Sequence, residues 1–436
     1  MNFIDLFAGL GGFHKALSDL GHKCVFASEI NDELKQLYFE NWGIQPDGDI
    51  VEIVKKNISK IPEHDILCGG FPCQPFSQAG KRMGVEDKRG NLFNEIIQIL
   101  QFRKPKFLLL ENVPHLSTHD NKRTMNRMKK ELNSLGYEID MKIYSPIDFG
   151  IPQNRKRIFI VGCLKGLEHF SFDSVDVNKN PSIDLNKFIS KTYPLSSKLS
   201  EKNIQALNVW QNFLNVIPGS QKMPGFPIWS MEFGANYPVD ISPASLSNKD
   251  LEKFKGSFGV PLRNLTKSQQ LNLLPNYSQN SNAFPAWKKR YIKYNREFYK
   301  TNKKEIDSVL PLIINLNFET LQKFEWNVGK EERIIKNYFI QFRPSGIRIK
   351  KSNFFPSLVC SSTQLPVIGW QNRYITNTEA LKLQSLEGLQ LPKNKTAALK
   401  SLGNAVNSKI VSYIFKSLLD TESKSKLIKS KLEIAI

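Results

Sequence analysis

The residue types in this chain that could do chemistry together are a cysteine, a glutamate and two arginines, each set at the end of an apolar run. Cys73 lies in Cys68-Gly69-Gly70-Phe71-Pro72-Cys73-Gln74-Pro75-Phe76-Ser77. The apolar run 65–68 ends there in two glycines, and the prolines that follow can neither continue a strand nor begin a regular helix. The Cys73 sulfur is therefore expected on a stiff turn at the end of a buried strand, where an open α/β sheet carries ligands and chemistry. A lone thiol is most often a small buried apolar group; beside cations or a helix N-terminus its thiolate becomes a nucleophile. Glu111-Asn112-Val113 follows the apolar run 106–110, and a carboxyl desolvated at a buried strand end holds its proton nearer neutrality. Gln153-Asn154-Arg155-Lys156-Arg157 precedes the run 158–161. Strand alternation would put Gln153, Arg155 and Arg157 on one side as convergent donors. Capping and ordinary ion pairing are the plain alternative for both stretches.

A second group surrounds a glycine-rich turn. In Asp5-Leu6-Phe7-Ala8-Gly9-Leu10-Gly11-Gly12-Phe13 a strand runs into glycines and then a helix, which lets a ligand approach backbone amides closely. A dinucleotide fingerprint would want a further glycine where His14 stands, which weakens a nicotinamide reading. Glu29 ends the next expected strand, and Asp49 lies in Gly48-Asp49-Ile50. Taken singly, each acid is more often a surface charge.

The elements that must position these residues are legible as alternation. Residues 1–7, 22–28, 65–68, 106–110 and 157–161 read as strands, and 12–20, 32–39, 91–102 and 122–135 as helices. That rhythm predicts an α/β fold with a doubly wound, mostly parallel sheet. From about residue 165 to 370 the rhythm stops, and Asn, Ser, Lys, Pro and aromatic residues dominate in a smaller, irregular insertion. Within it, Phe284-Pro285-Ala286-Trp287-Lys288-Lys289-Arg290-Tyr291-Ile292-Lys293-Tyr294-Asn295-Arg296 interleaves aromatics with bases. Such a run is either a solvated helix face with some core aromatics or a surface for phosphate contact and stacking. Helical spacing returns at 381–389, 397–402 and 410–419, and the Lys/Ser-rich tail 420–436 is expected to fray. The expected domains are thus 1–165, an insertion 166–370, a return 371–420 and a basic tail 421–436.

Bulk properties narrow the class. The chain has 436 residues, 40% hydrophobic, with 61 Lys and Arg against 41 Asp and Glu for a net charge of +20. Mean hydropathy is -0.35, and no apolar run reaches the roughly 18 residues a membrane helix needs. The first residues, Met1-Asn2-Phe3-Ile4-Asp5, lack a basic leader. Five scattered cysteines and six scattered histidines give neither a disulfide framework nor a metal site, so no metal is expected and a reducing, cytoplasmic setting is. The excess of bases fits a polyanion partner, though a ribosome-associated or membrane-surface protein shares it.

Gly70-Phe71-Pro72-Cys73-Gln74 closely resembles the nucleophile motif of the cytosine carbon-5 DNA methyltransferases. The resemblance extends in the family's order through residues 7–12, 70–74, Arg89-Gly90-Asn91-Leu92-Phe93, 111–113, 153–157 and Gly403-Asn404-Ala405-Val406. It covers the first 165 residues and roughly the last 65. It implies a Rossmann-like, S-adenosylmethionine-dependent methyltransferase fold whose insertion 166–370 is the target-recognition domain. It implies Cys73 as the thiolate that adds to carbon 6 of a flipped-out cytosine in double-stranded DNA. Glu111 would then hold ring N3 and the exocyclic amine, Arg157 the O2 oxygen, and Arg155 would steady the adduct. The implied cofactor residues are Phe7, Gly9, Gly11, Gly12, Glu29 at the ribose hydroxyls, Asp49 at the adenine amine, Ile50, Pro72, Asn404 and Val406. DNA contacts are expected from Ser77, Lys81 and Arg82 in a glycine-bearing lid 77–91, and from Lys288, Lys289 and Arg290.

One departure is Thr378, where the family usually has arginine in an element that supports the recognition domain. The resemblance further implies a monomer of the restriction-modification type, bacterial or phage, with a restriction endonuclease as a genetic partner. Three other readings stay open. A tRNA cytosine-5 methyltransferase shares the Pro-Cys-Gln and Glu-Asn-Val motifs. A catalytically dead relative would lack one of the chemical residues, and none is missing. A nicotinamide oxidoreductase would need the absent glycine.

Overall fold

The computed structural model describes residues 1–71, 92–164, 166–167, 170–177, 183–280, 282–359 and 364–434, with side chains as far as Thr421. It divides into two compact units: Met1–Thr192 with Asn353–Ser362 and Thr376–Ile436, and Tyr193–Ser352 with Thr363–Ile375.

The first unit opens with β1 (Asn2–Leu6), α1 (Gly12–Ser18), β2 (Lys23–Ser28), α2 (Asp32–Trp42), α3 (Ile50–Asn57) and β3 (Ile66–Gly70). It continues with α4 (Leu92–Arg103), β4 (Phe107–Asn112), α5 (Arg123–Ser134), β5 (Tyr137–Tyr144), the short β6 (Gln153–Asn154) and β7 (Arg157–Leu164). The strands form one sheet in the order β2-β1-β3-β4-β7-β5. β1 to β4 are parallel neighbours, and β7 runs antiparallel to both β4 and β5. Parallel strands must be covered on both faces, and alternate residues serve different cores. Ile4, Leu67, Leu108 and Leu110 pack with Ile96, Ile99 and Met125 on one side. Phe3, Cys68, Phe107 and Leu109 pack with Leu17, Val411 and Phe415 on the other. Met125, Met128 and Leu132 of α5 are buried at helical spacing while its bases face out. Sequence alternation had not separated α3 or β5 from their surroundings.

The second unit holds α6 (Glu201–Val216), β8 (Ile228–Trp229), α7 (Asn248–Leu251), α8 (Lys267–Asn272), α9 (Ala286–Thr301), α10 (Lys303–Asp307) and α11 (Leu310–Ile314). Then come β9 (Lys323–Asn327), β10 (Phe339–Arg343) and β11 (Gly346–Lys350). The chain visits the first unit at β12 (Phe355–Pro356), which pairs with β6, before β13 (Pro366–Ile368) and β14 (Arg373–Tyr374) complete the second. These strands make a six-stranded sheet, β14-β13-β10-β11-β9-β8, in which only β11 and β9 pair in parallel. Phe324, Trp326, Ile340, Phe342, Ile347 and Ile349 bury one face of it with Leu207, Trp210 and Phe213 of α6. Trp210 stacks on Phe324 with centroids 4.7 Å apart, and its Nε1 donates to the Leu321 carbonyl. The expected insertion therefore contains a regular sheet besides its many short turns. Its strands are short and interrupted by Pro and Asn, which hid them.

The first unit closes with α12 (Asn377–Gln384), α13 (Lys395–Asn404) and α14 (Ser408–Ile434). α14 runs through the tail that was expected to fray. Thr378 is exposed in the first turn of α12, whose start is held instead by Thr376 and Glu379, each accepting from the other's backbone amide. No described helix is long and apolar enough to cross a membrane.

Candidate active site

The sheet register brings the chemical residues of the first unit together at the C-terminal ends of β3 and β4. Gly70, the last residue of β3, lies opposite Glu111 of β4, and a Cβ on Gly70 would sit 3.5 Å from Glu111 Oε2. Asn112 Nδ2 donates to the Phe71 carbonyl at 3.2 Å, so the chain leaves β3 fastened beside the glutamate. Cys73, Pro72, Ser77, Lys81 and Arg82 lie in the stretch that begins there and fall outside the described residues, as does the expected lid 77–91.

Glu111 is 7% exposed. Its Oε1 is 2.9 Å from Arg157 Nε, because β7 runs antiparallel beside β4 and starts at that arginine. Burial raises the Glu111 pKa, and the charges of Arg157 and Arg155 oppose the rise without cancelling it. Arg157 also donates from Nη1 to the Lys156 carbonyl at 2.8 Å. The pair thus sets a carboxyl of raised pKa against a neighbouring cation.

Arg155 makes its hydrogen bonds away from that pair. Its guanidinium is 3% exposed and points into the fold, donating to the carbonyls of Leu358 (3.1 Å), Gly403 (2.7 Å) and Ala405 (3.1 Å). These bonds tie the turn carrying Asn404 and Val406 to the segment that leads into the strand of Arg157. Gln153 is wholly buried, and neither atom of its amide has a partner among the described residues. Alternation therefore does not make the three side chains convergent donors.

The glycine turn after β1 has Phe7, Gly9 and Gly11 at φ of 57°, 54° and 80°, a left-handed path that glycine tolerates and Phe7 adopts under constraint. Gly9 donates its N–H to Glu29 Oε2 at 2.9 Å, and Asn31 donates to Glu29 Oε1 at 2.9 Å. A carboxylate offers about four acceptor positions, so Glu29 retains capacity for hydroxyl donors. Asp49 caps α3, its Oδ1 accepting from Val51 N–H at 2.9 Å, and its second oxygen retains capacity too. Ile50 is in the apolar core. Gly12 and Val406 touch one another: a Cβ on Gly12 would lie 2.5 Å from Val406 Cγ1 and 2.6 Å from its carbonyl oxygen. Asn404 is exposed at the end of α13. Two carboxylates with spare acceptor positions beside a left-handed glycine turn fit S-adenosylmethionine, whose adenosine supplies hydroxyl and amine donors.

Sequence reasoning missed the support behind this turn. His14 Nδ1 and Tyr38 Oη are 2.7 Å apart, Tyr38 Oη donates to Asp5 Oδ2 at 3.3 Å, and His14 stacks on Trp42 at 4.4 Å. Burial lowers the His14 pKa to about 4, so the imidazole is neutral near pH 7, and it raises that of Asp5 well above its usual range. No local pattern could have found it, since its members come from three separate elements.

In the second unit, Arg290 is exposed at the start of α9, Lys289 Nζ is 3.3 Å from Asp240, and Lys288 Nζ lies 5.3 Å from the Tyr277 ring. Arg296 differs from the expected solvent-facing base. Its Nε is 2.9 Å from Glu232, which is wholly buried, and its Nη1 donates to the Tyr237 carbonyl.

Comparison with known proteins gives the family of the chain. Type II methyltransferase M.HaeII of Haemophilus aegyptius is 44% identical over 264 residues, covering 58% of this chain and 81% of the relative. M.HhaI of Haemophilus parahaemolyticus is 43% identical over 175 residues, 39% of this chain, which spans 52% of that relative's length. Among solved structures, the S. pombe Dnmt2 methyltransferase superposes with a TM-score of 0.53 at 15% identity over 96% of this chain and 98% of that one, a likeness of fold. Residues 1–420 match the family described as C-5 cytosine-specific DNA methylase, and to that family this chain belongs.

Proposed function

We propose that this protein transfers a methyl group to carbon 5 of a cytosine flipped out of a specific double-stranded DNA word, with Cys73 as the nucleophile. The observation that carries the reading is the buried Glu111, paired with the half-buried Arg157 beside Gly70, where the Cys73 stretch begins. Carbon 5 of cytosine is too weak a nucleophile to attack unaided. The Cys73 thiolate adds to carbon 6 and makes the ring an enamine. Glu111, holding its proton towards neutrality, donates to ring N3 and offsets the charge that builds there. Arg157 fixes Glu111 and presents donors to the O2 oxygen. Glu29 and Asp49 would hold the ribose and adenine of S-adenosylmethionine, whose sulfonium supplies the methyl group. A base, taken to be an ordered water, accepts the carbon-5 proton, ring N3 returns its proton to Glu111, and elimination expels Cys73 as the thiolate. Arg155 acts through the turn at 403–405.

The second unit is proposed as the target-recognition domain, with Lys288, Lys289 and Arg290 gripping phosphate. DNA is favoured over tRNA by the family match and by the Type II relatives. Work as a monomer in the cytoplasm beside a cognate restriction endonuclease is part of the same proposal. Bisulfite sequencing of a plasmid from a host expressing this chain alone tests the reading. One fully protected cytosine in a recurring word is expected, and a plasmid without protected cytosines would overturn it.

A further inference from the structure

One face of the sheet in the second unit gathers more positive charge than the fold can neutralise. Ile340, Phe342, Ile347 and Ile349 turn into the core, so alternation sends Arg343 of β10 and Arg348 and Lys350 of β11 to the opposite face. Arg348 lies in register with Glu325 of β9. Its Nε is 2.6 Å from Glu325 Oε2, while Arg343 Nη1 stands 3.8 Å from that same acid and makes no hydrogen bond. Glu325 Oε1 already accepts from Asn327 Nδ2 at 2.7 Å. Lys350 is half-buried, and the charged groups acting on it are Arg348 and Arg343, which repel, and Glu325, which attracts. Burial and the neighbouring cations lower the pKa values of both Lys350 and Arg343. Three cations therefore share the single negative charge of Glu325.

Such a cluster is unfavourable in the free protein, since partial burial strengthens repulsion between like charges. The side chains of Arg343 and Arg348 remain 25% and 26% exposed, so a ligand can reach them. The edge of a guanine offers only partial negative charge and would leave most of the repulsion in place. A phosphodiester brings a full negative charge and accepts from both a guanidinium fork and an ammonium. We propose that Arg343, Arg348 and Lys350, arranged around Glu325, form a binding site for a backbone phosphate of duplex DNA, separate from the bases of α9. The proposal rests on DNA being the substrate. The site sets the position of the duplex and carries no sequence information itself.

The full-length protein, its Arg343→Gln and Lys350→Met variants and the double variant are titrated by fluorescence anisotropy against two duplexes, one with the methylated word and one scrambled, across a salt series. Each substitution is expected to weaken both duplexes alike, by about eight-fold at 0.1 M salt, and to flatten the log-log salt slope by about one unit. The thermal midpoint of the free variants should hold or rise, because a repelled cation has gone. Glu325→Gln should lower that midpoint, because the carboxylate that the three cations share has gone. An unchanged salt slope overturns the site, and so does a loss confined to the methylated word, which would mean base reading. If the parent protein methylates no cytosine at all, the substrate reading has failed. If it methylates normally and the variants bind as it does, only this site has failed.

Discussion

Burial withdraws two of the described thiols from nucleophilic chemistry. Cys24, with its pKa pushed up to about 12, and Cys68, pushed well above the usual range, are held as thiols by desolvation, with the neighbouring Asp5 adding to it. Neither can supply a thiolate near neutrality. Cys73→Ser is therefore expected to abolish methyl transfer while DNA binding is largely kept, and Cys24→Ser and Cys68→Ser to retain activity, as read by methyl incorporation. A Cys73→Ser enzyme turning over at the parent rate would end the proposal. Glu111 gives a pH prediction whose sign follows from its raised pKa. Its protonated form persists in the folded enzyme to higher pH than in the unfolded chain. Its contribution is present in full below the ordinary carboxyl value and is lost as pH rises through the raised one. The rate of methyl transfer should thus carry a falling limb on the alkaline side, absent in Glu111→Gln, which should also be slower by roughly 10²–10⁴-fold.

At the scale of elements, the cofactor turn is fixed by contacts between α1 and the approach to α14. Gly12 has no room for a side chain against Val406. Gly12→Ala should destabilise the protein by about 1–3 kcal/mol, seen as a lower thermal midpoint. Adding Val406→Ala should recover only part of that, because the Val406 carbonyl stays where it is. Glu29→Ala removes a charge-assisted acceptor from the same turn. It should weaken S-adenosylmethionine binding by roughly ten- to a hundred-fold in calorimetry, the equivalent of about 1.5–3 kcal/mol; unchanged affinity would refute its assignment.

For the whole molecule, the two units suggest separable tasks. The first carries every residue assigned here to cofactor or cytosine, and the second carries α9 and the cationic sheet face. Exchanging residues 193–352 and 363–375 for those of a relative with another word should move the methylated cytosine to the relative's word in bisulfite maps. A hybrid that kept its own word would place the reading in the first unit.

By itself the sequence determined the parallel core strands and the glycine turn, and it singled out Cys73, Glu111 and Arg157 as candidates for the chemistry. Runs such as Phe107–Leu110 are buried on both faces, and their ends are marked by glycine or a polar residue that no core would accept without a purpose. Only the tertiary structure decided that Arg155 spends its guanidinium on carbonyls at 358, 403 and 405, or that Arg296 is locked to Glu232. It alone set Arg343, Arg348 and Lys350 around one carboxylate. Partners so distant in the chain leave no periodic trace, because which groups meet is settled by sheet order and register, and these are decided when the elements pack.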